Sequence, residues 1–298
     1  MRKAARIALR VVIGLVVVIV LVVGVSYAVS QKRLEKRYDD VRGTVVAIPS
    51  DSASVARGKV LATLYGCTGC HTPNLGGMTM IDQFPFAKLA SANITRGEGG
   101  VAANYSDADW DRAIRHGVRQ DGTPLFIMPS HEFNRMSDAE LGRLIAYLKT
   151  VPPVNKTPAP RVIYPMARVL HTFGAPLVAA EKIDHDIQAN PQPAPGSTRE
   201  YGEYVAGACK FCHGDDLGGK EVGGEPGAPP SPPIGPASSA GQWTDEQFIQ
   251  TLRTGTTPEG RKLRNQYMPW EAIGQLTDDE LRGLHMYLKQ PVLPTPAK

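Results

Sequence analysis

This chain of 298 residues is sparing with cysteine, aromatics and unbalanced charge. It holds four cysteines and three tryptophans, and aromatic residues make up 7%. Four thiols are too few for a disulfide-dense secreted scaffold of this length. Net charge is only +4. No basic stretch is interleaved with aromatics, so nucleic acid is excluded as an expected partner. Paired carboxylates, a Ser/His/Asp order and a phosphate-binding glycine loop are all missing, which leaves hydrolytic and nucleotide-dependent catalysis without residues to carry them. Acid is scarce at the N-terminus. Residues 1–37 contain eight Lys/Arg and one acid, Glu35, leaving 25 bases against 28 acids in the rest of the chain.

What the chain does have is an apolar run, Val11–Val29, with Ile7–Leu9 just before Arg10. Its length approaches the ~20 residues that span a bilayer. A cleaved signal peptide is the competing reading, with Ala28-Val29-Ser30 as a weak cleavage site, but its apolar core would be shorter, about 7–15 residues. We read residues 1–37 as a cytoplasmic tip and transmembrane anchor. Four bases lie on each side of the run, so loop charge alone does not orient it.

The four cysteines fall into two matching motifs, Cys67-Thr-Gly-Cys70-His71 and Cys209-Lys-Phe-Cys212-His213. C-x-x-C-H is the attachment pattern for c-type haem. Two thiols form thioether links to the porphyrin, and the following histidine becomes an axial ligand of the iron. Paired C-x-x-C units also build zinc sites, and four thiols can form two disulfides. The histidine after each pair and the ~140-residue gap between pairs argue against both. Two covalently bound haem c groups are therefore expected. Covalent haem attachment takes place on the outer side of an energy-transducing membrane. That places the N-terminus in the cytoplasm and the haem domains in the periplasm, on a single-pass protein of a bacterial inner membrane.

The motifs belong to an internal repeat. An offset of 142 maps Cys67, Cys70, His71, Leu75, Gly76 and Gly77 onto Cys209, Cys212, His213, Leu217, Gly218 and Gly219. An offset of 140 maps Met128-Pro129 onto Met268-Pro269, and Ser137 through Lys149 onto Thr277 through Lys289. Self-similarity of this kind means two copies of one domain. Ser137-x-x-Glu140 and Thr277-x-x-Glu280 predict capped helices, with apolar residues following at helical spacing. Ser106-x-x-Asp109 and Thr244-x-x-Gln247 predict an earlier helix in each copy. The expected fold is mostly α: an N-terminal transmembrane helix, then two tandem copies of one haem-binding domain at 38–153 and 200–298. Residues 154–199 form a proline-rich linker that includes a short helix within Met166–Lys182. Gly223–Pro236 reads as a loop along the second haem.

His71 and His213 are the expected proximal ligands. Met128 and Met268 are the expected sixth ligands, being repeat-equivalent, followed by proline and placed between the two repeated helices. Met78, Met80, Met136, Met166 and Met286 read as gap-filling residues. His116, His131, His171, His185 and His285 are the rival sixth ligands, His131 foremost because it lies three residues from Met128, but none has a histidine at its equivalent repeat position and each reads as a surface residue. A backbone carbonyl of Pro85, or of Pro230 or Pro233, is the expected acceptor for a proximal histidine.

Asn93-Ile94-Thr95, Tyr105-Ser-Asp-Ala-Asp-Trp110, Met128-Pro129, Met136-Ser-Asp-Ala-Glu-Leu141, Tyr147-Leu148-Lys149 and Val151-Pro-Pro153 carry a resemblance. The chain resembles a membrane-anchored dihaem class I cytochrome c, similar to the cytochrome c subunits of membrane-bound alcohol and gluconate dehydrogenases. Those subunits usually carry three haems and a C-terminal anchor. The resemblance implies an electron carrier, not an enzyme, relaying single electrons between a respiratory or photosynthetic donor and acceptor. The alternatives are an electron-transfer subunit of a membrane-bound dehydrogenase and a dihaem redox enzyme, either a peroxidase or a thiosulfate dehydrogenase. Expected partners are redox proteins, the membrane and a larger membrane complex.

Overall fold

The computed structural model describes residues 2–186, 192–221 and 229–290. Residues 187–191, 222–228 and 291–298, parts of the linker and second domain expected above, lie outside that set. The protein is mostly helical. Its first element, α1 (Arg2–Leu34), is one unbroken helix containing the whole apolar run. Among the described residues it is the one helix long and apolar enough to cross a membrane. Its last turns bury a stripe at four-residue spacing, Ser26, Ser30 and Leu34, the spacing that puts side chains on one helix face.

Helices α2 (Ser52–Leu64), α3 (Cys67–Cys70), α4 (Asp107–His116), α5 (Ser130–Phe133) and α6 (Asp138–Thr150) follow. After them come α7 (Pro165–Thr172), α8 (Arg199–His213), α9 (Ser239–Gln242), α10 (Asp245–Thr254), α11 (Trp270–Ile273) and α12 (Asp278–Leu288). The four hydroxyl caps read from the sequence are all in place: Ser106, Ser137, Thr244 and Thr277 accept from the backbone three residues on. α4 and α10 both end on a left-handed glycine, Gly117 and Gly255, at φ 67° and 66°. This is the usual stop for a helix, because only glycine adopts that conformation without a Cβ penalty.

A three-stranded antiparallel sheet was not foreseen. It comprises β1 (Thr79–Gln83), β2 (Ala87–Ala90) and β3 (Val162–Ile163), in that order. The strands are short, and β1 buries no side chain, so no period-two apolar signal marked it. Residues 154–199 are also more structured than a linker. They supply β3, α7 and a 3-10 turn at Ala179–Glu181. The Asn93 side chain donates to the carbonyls of Val154 (2.6 Å) and Lys156 (3.1 Å).

The chain groups into two compact units. The first comprises Met1–Val45, Cys70–Asn134 and Pro152–Ile187. Leu34, Tyr38, Val41, Val118, Val178 and Ala180 form a core within it. α7 packs along the end of α1: Arg33 donates to the carbonyl of His171 (2.7 Å) and pairs with Glu181.

The second unit comprises Val46–Gly69, Arg135–Val151 and Gln188–Lys298. Its helices pair at two equivalent glycines. A Cβ on Gly58 of α2 would lie 2.0 Å from the Arg143 carbonyl of α6, and one on Gly202 of α8 would lie 1.9 Å from the Gly283 carbonyl of α12. Backbone therefore rests on backbone in both pairs. Gly202→Ala is expected to force α8 off α12 and cost about 1–3 kcal/mol, the usual penalty for overpacking. The midpoint of chemical denaturation reads this, and an unchanged midpoint would show that the pair tolerates separation.

The two pairs share a polar cluster. Arg57 lies 3.1 Å from Glu280 and 3.6 Å from Glu140. It donates to the Tyr201 hydroxyl at 3.2 Å. Tyr65 and Tyr204 donate to Glu140 at 3.2 and 2.7 Å, and Tyr201 donates to Glu280. Glu280 also completes its capping box, whereas the Glu140 carboxylate turns to the two phenols. Burial and the neighbouring carboxylates push the phenols of Tyr65, Tyr201 and Tyr204 well up, so they stay protonated as donors.

Three of the five extra histidines, His116, His171 and His285, are buried and not the surface residues expected. His171 and His285 are fully buried. His171 lies between Ser30 (3.3 Å) and Glu181 (3.2 Å), and His285 between Asp245 (2.8 Å) and the Ala240 carbonyl (3.0 Å). His116 and His185 face each other at 3.1 Å. His131 alone is exposed, beside Glu132. Of the methionines read as gap fillers, Met136 is buried, but Met78, Met166 and Met286 are exposed.

Candidate haem sites

Each C-x-x-C-H motif sits on a helical turn. In the first copy Cys67–Cys70 forms α3 and His71 follows it directly; in the second the whole motif is the last turn of α8. After each histidine the chain makes the same turn. Gly77 N–H donates to the His71 carbonyl at 2.9 Å, and Gly219 N–H donates to that of His213 at 2.8 Å. Leu75 and Leu217 both adopt φ 58° and are fully buried. A left-handed leucine is costly and persists only where its surroundings over-determine it. Finding it twice at equivalent positions ties both turns to the same purpose.

That purpose is to bring a carbonyl onto the imidazole. His71 Nδ1–H donates to the Ala92 carbonyl at 2.8 Å, and His213 Nδ1–H donates to the Pro232 carbonyl at 2.8 Å. A carbonyl can only accept, so each Nδ1 carries the proton and each Nε2 keeps its lone pair. Burial pushes both rings' pKa down, against the opposing effect of the carbonyl bond, and so favours neutral imidazole. The acceptors differ from those expected: Ala92 and Pro232 take the place of Pro85, Pro230 and Pro233. The repeat itself carried the signal, since the offset of 140 relates Ala92 to Pro232 and Ile94 to Ile234. Ile94 N–H and Ile234 N–H donate to the carbonyls of Leu75 and Leu217, each at 3.0 Å, which locks the acceptor strand to the turn.

Met128 and Met268 are half-buried and stand directly before the one-turn helices α5 and α11. Both are held by the same bond across the following proline, from Ser130 N–H (2.9 Å) and Trp270 N–H (2.7 Å) to the methionine carbonyl. Met268 and Cys209 border one apolar cluster with Ile234, Trp243 and Trp270.

These residues fit a c-type haem. All four cysteines are free thiols. Burial pushes the Cys209 thiol up to about 12, so the site favours an uncharged sulfur, as a thioether is. Burial, then the neighbouring Cys67, raises the phenol of Tyr147. The indole N–H groups of Trp110 and Trp270 are buried with no protein partner. Such orphaned donors call for an acceptor, and the propionates of a haem supply one. The zinc alternative lacks a donor set, because no three His, Cys, Asp or Glu converge among the described residues.

Comparison with known proteins agrees in kind. Residues 55–152 match the family described as cytochrome c. Over 279 residues the chain is 28% identical to the alcohol dehydrogenase (quinone) cytochrome c subunit of Gluconacetobacter polyoxogenes, covering 83% of this chain and 58% of that one. It is 27% identical over 259 residues to the fructose dehydrogenase cytochrome subunit of Gluconobacter japonicus, covering 79% and 52%. A shorter stretch of 104 residues is 34% identical to the gluconate 2-dehydrogenase cytochrome c subunit of Pantoea cypripedii, covering 33% and 23%. The chain thus spans little more than half the length of the first two.

Proposed function

We propose, on the premise that residues 55–152 are a cytochrome c domain similar to the cytochrome subunits of dehydrogenases, that this protein relays single electrons and catalyses no substrate conversion of its own. The reading extends to two covalent haem c groups. Cys67, Cys70, Cys209 and Cys212 would hold the porphyrins, and His71, Met128, His213 and Met268 would supply the axial ligands. Haem contributes one-electron chemistry; the protein contributes orientation, ligands and docking surface. The supporting observation is the pair of proximal histidines, each fixed through Nδ1 to a backbone carbonyl at 2.8 Å, with Nε2 left to bind. Repetition of the left-handed leucine and of the methionine–proline turn supports the second site and a domain at 200–298 equivalent to the one at 38–153.

The source of electrons is read from the relatives. Their names describe cytochrome subunits of alcohol, fructose and gluconate dehydrogenases. A dehydrogenase as electron donor is therefore favoured over a free-standing respiratory or photosynthetic relay. Helix α1 would anchor the protein to the inner membrane, with the haem domains in the periplasm.

Pyridine haemochrome analysis of the mature, detergent-solubilised protein is expected to give two haem c per chain. Redox titration is expected to give two low-spin transitions with no rapid binding of carbon monoxide. One haem per chain would remove the second site, and fast carbon monoxide binding would point to an open iron and an enzyme.

A further inference from the structure

The first unit carries an exposed apolar surface on α7 and the β1–β2 turn. Met166 and Leu170 of α7 and the following Phe173 are 42%, 43% and 76% exposed. Phe84 and Phe86, in the turn between β1 and β2, are 77% and 36% exposed. The two groups are joined. Tyr164 N–H donates to the Phe86 carbonyl at 2.9 Å, Met166 N–H donates to that of Pro85 at 3.2 Å, and the rings of Phe84 and Tyr164 meet edge to face at 5.3 Å. Single exposed apolar residues are ordinary, but a contiguous group marks an interaction surface.

Its occupant follows from where α7 is pinned. Thr172 Oγ1 donates to the Ser26 carbonyl at 3.2 Å, Arg168 lies over the Tyr27 ring at 4.3 Å, and Ser30 Oγ meets His171 Nδ1 at 3.3 Å. Ser26 and Tyr27 are the last turn of the apolar run. At the helical rise per residue, Ser26 lies about 4–5 Å inside the end of that run. Phe173, the neighbour of Thr172, is thereby held where acyl chains meet headgroups. Cations sit at the same place. Arg161 and Arg168 line a cleft of about 160 Å³ beside α1, together with Gln31, Leu34, Glu35 and Ile163. Arg168 Nε donates to the Ile163 carbonyl at 3.3 Å, which holds its guanidinium at this cleft, and a phosphate is the acceptor a guanidinium fork suits.

We infer that α7, the β1–β2 turn and the Arg161/Arg168 cleft form a lipid-binding face lying in the headgroup layer of the bilayer crossed by α1. Phe84, Phe86, Leu170 and Phe173 enter its edge, and the two arginines receive phosphates. The inference rests on the reading of α1 as a membrane span.

The test uses full-length haem-loaded protein in nanodiscs of phosphatidylethanolamine and phosphatidylglycerol. A nitroxide is attached in turn through Phe173→Cys, Val18→Cys and Glu98→Cys, and collisions with oxygen and with a water-soluble nickel chelate are measured. Nickel collisions at position 173 are expected to fall several-fold below those at 98, with 18 shielded further. A shielded 18 with 173 as open as 98 overturns the lipid face and leaves the anchor intact. An open 18 overturns the anchor and the inference together. Arg161→Gln, with haem content unchanged, is expected to lower the phosphatidylglycerol retained through detergent washing; equal retention overturns the phosphate assignment.

Discussion

Replacing Met128 by alanine is expected to remove about half of the near-infrared sulfur-to-iron band of the oxidised protein, and replacing Met268 the other half. Thioether sulfur is soft and neutral and favours ferrous iron, so each substitution also lowers the potential of its own haem. The reasoning rests on equivalence. Both methionines are half-buried, precede a proline, and are held by the same backbone bond at the start of a one-turn helix. Four of the five competing histidines are engaged elsewhere: His171 and His285 have partners on both ring nitrogens, and His116 faces His185; His131, the exposed one, lies beside Glu132 and has no counterpart in the second copy. Met136→Ala separates ligation from packing. Met136 is 4% exposed, so its truncation is expected to cost stability, about 2–5 kcal/mol, with the band intact. A full band in both Met128→Ala and Met268→Ala would overturn the ligand assignment.

Arg57→Met is expected to be among the most destabilising single changes, about 3–5 kcal/mol by denaturant unfolding. The Glu140 and Glu280 side chains are only 2% and 7% exposed, and Arg57 pairs with both. Removing it leaves two buried carboxylates with phenol donors and without the positive charge of Arg57. The sign of the pH dependence follows from Glu280. Burial raises its pKa, but hydrogen bonds from Tyr201 and the Thr277 backbone, with the charge of Arg57, outweigh burial and hold it below the ordinary value of 4.5. A depressed carboxylate contributes stability that is complete above its unfolded pKa and is lost as pH falls through the folded one. Without Arg57 the folded pKa rises, so acid unfolding is expected to begin at higher pH. An unchanged acid limb in Arg57→Met would show that the phenols alone hold the carboxylate.

The parts of this architecture that could be read in the sequence are those with local signals. Helix starts were legible because the hydroxyl of Ser106, Ser137, Thr244 or Thr277 and the backbone it caps lie three residues apart. The proximal histidines were legible because attachment chemistry fixes their spacing to two cysteines. The Arg57 cluster was not, since Arg57 and Tyr201 meet across 144 positions. Glu140 shows the difficulty at one residue. Its spacing from Ser137 reads as a capping box, yet its carboxylate goes to Tyr65 and Tyr204. The histidines read as surface residues were misjudged for the same reason, because burial of His171 depends on Ser30 and Glu181, neither of them nearby in its own helix. The sheet escaped because its strands are brief and half solvated.

The junction of α1 with α7 has a mechanical consequence. α1 runs without a break to Leu34, and Arg33 grips the His171 carbonyl and Glu181 just past the apolar run. With α1 as the proposed membrane anchor, the first unit would be mounted on a mast gripped just past the apolar run. A collaborator meeting this unit would find it at constant height and tilt, so the search for a productive encounter falls to lateral travel in the plane of the bilayer.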